Sequence, residues 1–308
     1  MTINFTRVTD FMKKKSLNTF CHQQLIEYRS TLKPLSIEAL PDLFFFRPIA
    51  YLLVKAMQAR PITPNQVSTA AIFTGISGAY FISQGTPQSY RTAGFCYLAT
   101  VLLDCSDGML ARLKGGDTLL GRIVDGTIDY INGAALFLGI GLALQQTNWQ
   151  FPLTLWLITL LTLLSMLSHS IAIDYQRSQY MLQVLGRRNS IRHDIELYRA
   201  EQKRLKSGGG QYLTRFLIWI YLLYCNIQSV FERQPRKLYE PTTYHRLNRY
   251  TLRIWLNIDQ SSHYLILILS LWFFDLRLFI WYNLIFANLL FVIMLFIQKA
   301  VNAKQKTI

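Results

Sequence analysis

The sequence predicts an all-α integral membrane protein. Of its 308 residues, 51% are hydrophobic and only 16% are charged, and the mean hydropathy is +0.21. An average soluble domain carries roughly 25% charged residues, so this chain has too few to cover an ordinary solvated surface. Apolar runs of the length that spans a bilayer as a helix, about 20 residues, recur along the sequence. The first residues, MTINFTRVTDFMKKK, lack the apolar stretch of a signal peptide, so no cleaved leader is expected.

Six apolar runs are predicted to be transmembrane helices. In chain order they cover residues 65–84, 88–112, 118–146, 152–174, 261–275 and 278–298. The last two are separated by Asp275, Leu276 and Arg277, which predict a tight turn at the membrane surface.

Two further apolar segments, 42–59 and 212–231, contain basic residues such as Arg47, Lys55 and Arg215. This pattern is typical of amphipathic helices that lie in the headgroup layer. We therefore predict a juxtamembrane helix at 42–59 and an interfacial helix at 212–231, with a seventh span at 212–231 as the alternative.

The basic residues predict the orientation of the spans. Lys and Arg total 32 against 17 Asp and Glu, a net charge of +15. Nine of the basic residues lie in 1–60 and fifteen in 176–260, whereas the turn at 145–150, QQTNWQ, has none. Since short cytoplasmic loops hold the Lys and Arg excess, both ends of a six-span chain are expected in the cytoplasm. The positive charge then faces anionic lipid headgroups, and no nucleic-acid partner is expected.

The number and spacing of the cysteines bear on two kinds of site, disulfide bonds and zinc sites. The four cysteines, Cys21, Cys96, Cys105 and Cys225, include no C-x-x-C pair. Neither a disulfide framework nor a zinc site is therefore expected.

Four aspartates lie inside the predicted second and third spans, where a carboxylate costs roughly 2.5–3.5 kcal/mol at mid-helix. Asp104 and Asp107 are three residues apart, and Asp125 and Asp129 are four apart, so each pair occupies one helix face. The short connection makes the two helices antiparallel neighbours. We therefore expect all four carboxylates to converge on one small volume near the cytoplasmic side.

Four like charges in one volume need counter-charge to ionise, and two divalent cations would supply it. Carboxylate oxygens without histidine or cysteine ligands favour Mg²⁺, Mn²⁺ or Ca²⁺ over zinc. Gly108 and Gly121 lie on the acid-bearing faces, where a missing side chain lets a ligand approach the backbone, although helix packing alone is an alternative role. Arg112, one turn beyond the acids, is a candidate phosphate ligand or a membrane-surface anchor.

Residues 104–129 carry a longer pattern around these acids. They run D-C-S-D-G-M-L-A-R, eight residues, and then G-R-I-V-D-G-T-I-D. This resembles the signature D-x-x-D-G-x-x-A-R-x(8)-G-x-x-x-D-x-x-x-D of the CDP-alcohol phosphotransferases, with every defining position filled. The resemblance in fold covers roughly 42–175 and the two C-terminal helices, and it leaves out 176–260.

The resemblance implies an enzyme that moves a phosphoalcohol group from a CDP-linked donor to the hydroxyl of a second alcohol, with release of CMP. It implies two Mg²⁺ (or Mn²⁺) ions held by Asp104, Asp107, Asp125 and Asp129, with Asp129 also the general base. It further implies a homodimer. The residues implied to lie at the nucleotide are Gly108, Ala111, Arg112, Gly121, Thr63, Pro64 and Asn65.

The resemblance leaves the substrates open. We expect transfer of a phosphatidyl group from CDP-diacylglycerol to a polar alcohol; the alternative is transfer from a small CDP-alcohol to a lipid hydroxyl. Family members that use phosphorylated acceptors often have a basic residue directly after the fourth aspartate, and here it is Tyr130. Arg177 and its basic neighbours are expected either to reach an acceptor phosphate or to form a solvated surface.

A cation-coupled transporter is the alternative of another class, since carboxylates inside membranes also mark transport pathways. The acids here cluster near one face, which favours an enzyme. The predicted organisation is a cytoplasmic and juxtamembrane segment at 1–60, four catalytic spans at 61–175, a basic insert at 176–260, and two spans with a tail at 261–308. The active site is expected to face the cytoplasm, in a bacterial inner membrane.

Overall fold

The computed structural model describes residues 22–115, 119–146, 154–186, 191–207 and 239–307, with isolated positions between 212 and 222. Side chains at 119–125, 191–194 and 306–307 lie outside the described part. Every regular element among the described residues is a helix, as predicted. The segment 212–231 lies mostly outside them, so its placement at the interface stays a prediction.

The described residues of the first half form five helices. A π-helical turn at Asp42–Phe46 leads directly into α2. The helices are α1 at 22–31, α2 at Arg47–Gln58, α3 at Pro64–Ser83, α4 at Pro87–Lys114 and α5 at Leu119–Gln145.

The described residues of the second half form six more. A short 3-10 turn, Leu256–Ile258, follows the helix Pro241–Trp255. A π-helical turn, Tyr282–Ala287, joins the helices Leu276–Trp281 and Asn288–Thr307. The helices are α6 at Leu155–Leu185, α7 at Ile191–Ser207, α8 at Pro241–Trp255, α9 at Gln260–Trp272, α10 at Leu276–Trp281 and α11 at Asn288–Thr307. Since α6 continues to Leu185, the boundary drawn at residue 175 falls inside one continuous helix.

Among the described residues, four helical stretches are long and apolar enough to cross a membrane: Pro87–Lys114, Gly126–Gln145, Leu155–Leu185 and Leu276–Gln305. The two other predicted spans correspond to α3 and α9. Helix α9 has 13 residues, a length of about 20 Å, against a bilayer core of about 30 Å. A multi-pass membrane protein is thus supported, while the crossing of α3 and α9 stays a prediction.

Local sequence signals start the helices that carry the site. Thr63 caps α3, where its side chain accepts a hydrogen bond from the Gln66 N–H and the Gln66 side chain accepts one from the Thr63 N–H. Thr86 and Ser89 form the same reciprocal cap on α4. Each cap satisfies backbone donors that a helix start would otherwise leave unpaired. Thr63 and Pro64 therefore have a structural role whether or not they also contact a nucleotide.

Helix α3 lies at the centre of the bundle, packed along both α4 and α5. We expected α4 and α5 to be antiparallel neighbours, and among the described residues each of them packs mainly against α3. The physical reason is that small residues let α3 come close. Asn132 of α5 packs against Gly75, and the backbone of Ala79 lies against Gly139.

Replacing Gly139 with alanine is expected to lower the free energy of unfolding by about 1–3 kcal/mol, the usual cost of overpacking. A Cβ on Gly139 would lie 2.5 Å from the carbonyl oxygen of Ala79, so two helix backbones would have to separate. Thermal unfolding of the detergent-solubilised protein measures the loss. The matched control is Gly133→Ala on the same helix, where a Cβ meets nothing within 4 Å. That control is expected to hold or raise stability, and equal losses in both variants would contradict the packing of α3 on α5.

Helix α2 has the exposed apolar face expected of an interfacial helix. The side chains of Phe44 and Leu52 are 79% and 69% exposed. Arg47, however, was expected among the headgroups and is buried, with 6% of its surface exposed. The reason is that the other face of α2 packs against α4, and Arg47 lies on that inner face.

Candidate active site

A polar cavity of about 180 Å³ lies between the bundle and the segment that precedes α2. Ala71 of α3 is one of its lining residues. One wall is formed by α4 and α5, with Asp104 and Asp129 among the lining residues. The other lining residues come from the segment 33–47, from α6 and from the start of α9. We call the charged residues among them the charged wall: Lys33, Glu38, Asp42, Arg47, Arg177 and Asp259.

The structure brings two of the four predicted carboxylates to the same cavity. Asp104 faces it from α4 and Asp129 faces it from α5, although the two are 25 residues apart in the chain. Asp107 is buried, with 6% of its surface exposed. Its carboxylate accepts a hydrogen bond from the Ser68 hydroxyl of α3. The side chain of Asp125 lies outside the described residues.

The described side chains alone contain no group of three or more potential metal ligands. The fourth candidate, Asp125, belongs to the part whose side chains are not described. The donors that do face the cavity, on Asp104 and Asp129, are carboxylate oxygens, the ligands that Mg²⁺ and Mn²⁺ prefer. The donor set therefore fits the two-cation hypothesis, which stays a prediction.

Arg177 is the most constrained residue of the charged wall. Its Nη1 and Nη2 donate to the two carboxylate oxygens of Asp259 at 3.1 and 2.5 Å, and its Nε donates to the Ile37 carbonyl at 3.1 Å. Asp174 lies 3.8 Å from Nη1. Such a fork between guanidinium and carboxylate is strong and directional. It joins the end of α6 to the start of α9 and to the segment before α2.

Arg47 is the second guanidinium of the charged wall. Its Nη2 lies 3.5 Å from Glu38 Oε1, and its Nη1 donates to the Cys105 carbonyl at 3.4 Å, inside the acid motif of α4. Sequence reasoning missed this role because an arginine in an amphipathic segment resembles a headgroup anchor. The sequence signal for it was weak: two acids, Glu38 and Asp42, precede Arg47 by nine and five residues.

Asp42 is the buried acid of the charged wall, 6% exposed. Its burial raises the pKa of the carboxyl to about 6, against the opposing effects of the Arg47 charge and the Ser261 side chain. In the described part of the chain, Asp42 Oδ1 has no hydrogen-bond partner. A buried carboxylate oxygen without a donor is costly, so the site favours an occupant that supplies one.

The residues of α4 that are expected at the nucleotide, Gly108, Ala111 and Arg112, lie near its C-terminal end and outside the cavity lining. Arg112 Nε donates to the Thr31 carbonyl at 2.5 Å, which ties α4 to the end of α1. Gly108 lies beside the Arg112 guanidinium: a Cβ on Gly108 would lie 3.6 Å from Arg112 Nη2. Ala111 is half-buried, and Gly121 lies where side chains are not described. Their contact with a nucleotide stays a prediction.

His169 of α6 is buried and does not line this cavity. Its Nδ1 lies 3.3 Å from His263 Nε2, and its Nε2 lies 3.2 Å from Asn288 Oδ1. These contacts join α6, α9 and α11, as expected of a structural residue.

Comparison with known proteins agrees with the geometry. Residues 61–195 match the CDP-alcohol phosphatidyltransferase family. Over 80 residues the chain is 34% identical to the phosphatidylinositol phosphate synthases of Mycobacterium tuberculosis and Mycobacterium bovis, which covers 26% of this chain and 36% of theirs. Over 106 residues it is 31% identical to the bifunctional IPC transferase and DIPP synthase of Thermococcus kodakarensis. That match covers 34% of this chain and 24% of that protein.

The chain thus spans about a third or less of the length of these curated relatives. The matched region contains α3 to α6 and therefore the whole acid motif, whereas Arg47 and Asp259 of the charged wall lie outside it. The motif, the cavity lined by two of its carboxylates and the match agree: residues 61–195 are similar to the CDP-alcohol phosphatidyltransferase family.

Proposed function

We propose that the protein transfers a phosphatidyl group from CDP-diacylglycerol to the hydroxyl of a polar alcohol and releases CMP. The observation that carries this proposal is the shared cavity of Asp104 and Asp129, two acids of the family motif on different helices. The mycobacterial relatives are named as synthases of a phosphatidyl lipid. That name favours phosphatidyl transfer over transfer of a small phosphoalcohol.

Asp129 is the proposed general base. It takes the proton of the acceptor hydroxyl while that oxygen attacks the β-phosphorus of the donor. The bond between the β-phosphorus and the bridging oxygen breaks, and the CMP phosphate leaves with the electron pair. The position of Asp129 makes it competent, because it faces the same cavity as the metal-ligand candidate Asp104.

Asp104, Asp107, Asp125 and Asp129 are the proposed ligands of two Mg²⁺ or Mn²⁺ ions. Bound there, divalent cations would neutralise the diphosphate and stabilise the leaving group. Ser68 orients Asp107 through its hydrogen bond, as second-layer donors commonly do for metal-binding carboxylates.

The proposed nucleotide site lies at the cytoplasmic end of α4, beside Gly108, Ala111 and Arg112, with Gly121 and the start of α3 at Thr63, Pro64 and Asn65. A soluble cytidine nucleotide would enter from the cytoplasm, and the lipid part would enter between helices from the membrane. We also propose a homodimer in a bacterial inner membrane, with both sites facing the cytoplasm.

CMP release by the purified full-length protein in detergent tests the proposal. With Mg²⁺ and CDP-diacylglycerol, CMP is expected only when a polar alcohol is added, and chelation of the metal is expected to abolish it. CDP-choline and CDP-ethanolamine with diacylglycerol serve as the opposing donors. CMP from those donors alone would replace phosphatidyl transfer by the small-phosphoalcohol alternative, and no CMP from any pair would refute the proposed activity.

A further inference from the structure

The segment 32–39 follows α1 and contains no helix of its own. Its residues Ile37, Glu38 and Ala39 are buried, with at most 6% of their surface exposed. A buried loop is unusual, because water does not reach its backbone N–H and C=O groups and these groups need partners within the protein. The residues that supply such partners therefore fix the segment in place.

Two guanidinium groups from different helices donate to three carbonyls of this segment. Arg253 of α8 donates from Nη2 to the Leu35 carbonyl at 2.6 Å and from Nη1 to the Glu38 carbonyl at 3.0 Å. The Ile37 carbonyl, between these two in the chain, accepts a hydrogen bond from Arg177 Nε at 3.1 Å. Arg253 is 218 and 215 residues from its two acceptors, so only the tertiary structure creates this contact.

Helix α8 is itself fixed in the core of the protein. It packs along α6 and α11. Its residues Tyr244, Leu252 and Trp255 belong to one buried apolar cluster with Ile37 and Ala39 of the segment 32–39. The segment thus shares an apolar core with α8 in addition to the two hydrogen bonds from Arg253.

The same segment is connected to the acid motif through Glu38. The Glu38 carboxylate oxygen Oε1 lies 3.5 Å from Arg47 Nη2. Arg47 Nη1 in turn donates to the Cys105 carbonyl at 3.4 Å, and Cys105 lies between Asp104 and Asp107 in the chain. One series of contacts therefore runs from α8 through Glu38 and Arg47 to the acid motif of α4.

We propose that α8 is a positioning element of the active site and that Arg253 is its positioning residue. Arg253 holds the segment 32–39, and Glu38 of that segment holds the Arg47 guanidinium against the acid motif. Helix α8 lies within 176–260, which the family resemblance leaves out, and beyond the matched residues 61–195. The expected effect on activity rests on the transfer reaction proposed above, whereas the expected effect on the segment does not.

The position of Arg47 matters because its charge is buried beside the reacting groups. Arg47 is 6% exposed, and its Nε has no hydrogen-bond partner among the described residues. It lines the same cavity as Asp104 and Asp129. A fixed positive charge there would stabilise the negative charge that develops on the phosphate groups during transfer. Displacement of Arg47 is therefore expected to lower kcat.

Arg253→Met tests the contact in the full-length protein in detergent. Methionine is a good helix former and keeps the apolar stem, but it removes both donors. The reporters are the Ile37 and Leu43 amides, which donate to the Pro34 and Ala39 carbonyls. Their hydrogen–deuterium exchange is expected to become about tenfold faster, since two hydrogen bonds that fix the segment are lost. Amides of α3 to α5 are expected to exchange as in the wild type.

Steady-state CMP release tests the consequence for catalysis, with Mg²⁺, CDP-diacylglycerol and the polar alcohol that serves as acceptor. The kcat of Arg253→Met is expected to fall by about 10- to 100-fold, the cost of a small displacement at a reacting centre. The KM for CDP-diacylglycerol is expected to stay unchanged, because the proposed nucleotide residues lie outside the cavity lining. Arg253→Lys, whose ammonium can reach one carbonyl, is expected to recover part of kcat and of the protection.

The matched control is Arg249→Met, one turn earlier on the same helix. Arg249 is exposed, and its Nη2 donates to the Tyr250 hydroxyl at 2.9 Å. This variant loses the same charge from α8 without touching the segment 32–39. It is expected to keep the wild-type exchange and the wild-type kcat.

The outcomes separate this inference from the proposed function. Unchanged exchange at Ile37 and Leu43 in Arg253→Met would show that Arg253 does not hold the segment. Faster exchange with a wild-type kcat would overturn the positioning role, and so would an equal loss of kcat in Arg249→Met. If the wild-type protein releases no CMP with any acceptor, the transfer reaction is refuted, while the exchange measurement still decides whether Arg253 holds the segment.

Discussion

Asp129→Asn is expected to lower the rate of CMP release by about 10²–10⁴-fold, the usual contribution of a positioned general base. Asparagine has the same shape, but it cannot accept the proton of the acceptor hydroxyl, and it is a poorer ligand for Mg²⁺. Because Asp129 is exposed to the cavity and not packed in the core, the substitution is expected to preserve the fold. Steady-state CMP release at saturating CDP-diacylglycerol measures the effect.

The matched control is Glu196→Gln, which removes one carboxylate from the exposed face of α7. It is expected to retain the wild-type rate, so a general effect of lost negative charge is separated from the loss of a base. Thermal unfolding of both variants reports on their folding. Turnover by Asp129→Asn within about tenfold of the wild type would contradict its assignment as the base.

Arg177→Met is expected to lower the free energy of unfolding by about 3–5 kcal/mol, the cost of breaking a buried ion pair from one side. The side chain of Asp259 is 7% exposed and would keep a charge without its partner. The loss would also release the Ile37 carbonyl and so loosen the segment that carries Asp42. Chemical or thermal unfolding in detergent, followed by circular dichroism, measures the change.

Two comparisons make the Arg177 prediction specific. Adding Asp259→Asn to Arg177→Met removes the stranded charge and is expected to recover part of the loss. Arg204→Met breaks the exposed pair with Glu201, where the arginine is 76% exposed, and is expected to cost less than about 1 kcal/mol. Similar losses at Arg177 and Arg204 would mean that the Arg177–Asp259 fork does not hold these elements together.

The sequence predicted the helical membrane fold because apolar length and composition are properties of each segment alone. It also predicted which acids approach one another. The spacing of Asp104 to Asp107 and of Asp125 to Asp129 fixes a helix face, and the short connection limits where the second helix can go. The structure confirms that Asp104 and Asp129 face one cavity. Helix ends at Thr63 and Thr86 were equally local, since each cap involves residues three apart.

Tertiary structure alone decided which charged residues line the same cavity as those acids. Arg177 and Asp259 are 82 residues apart, and Arg47 reaches a carbonyl 58 residues away. No periodicity encodes such pairs, because they depend on how α2, α6 and α9 pack around the bundle. The central position of α3 was also missed, since the close approach of Gly139 to Ala79 is visible only when both helices are placed. The sequence by itself thus determined the acid motif and its helices, whereas packing determined the charged wall.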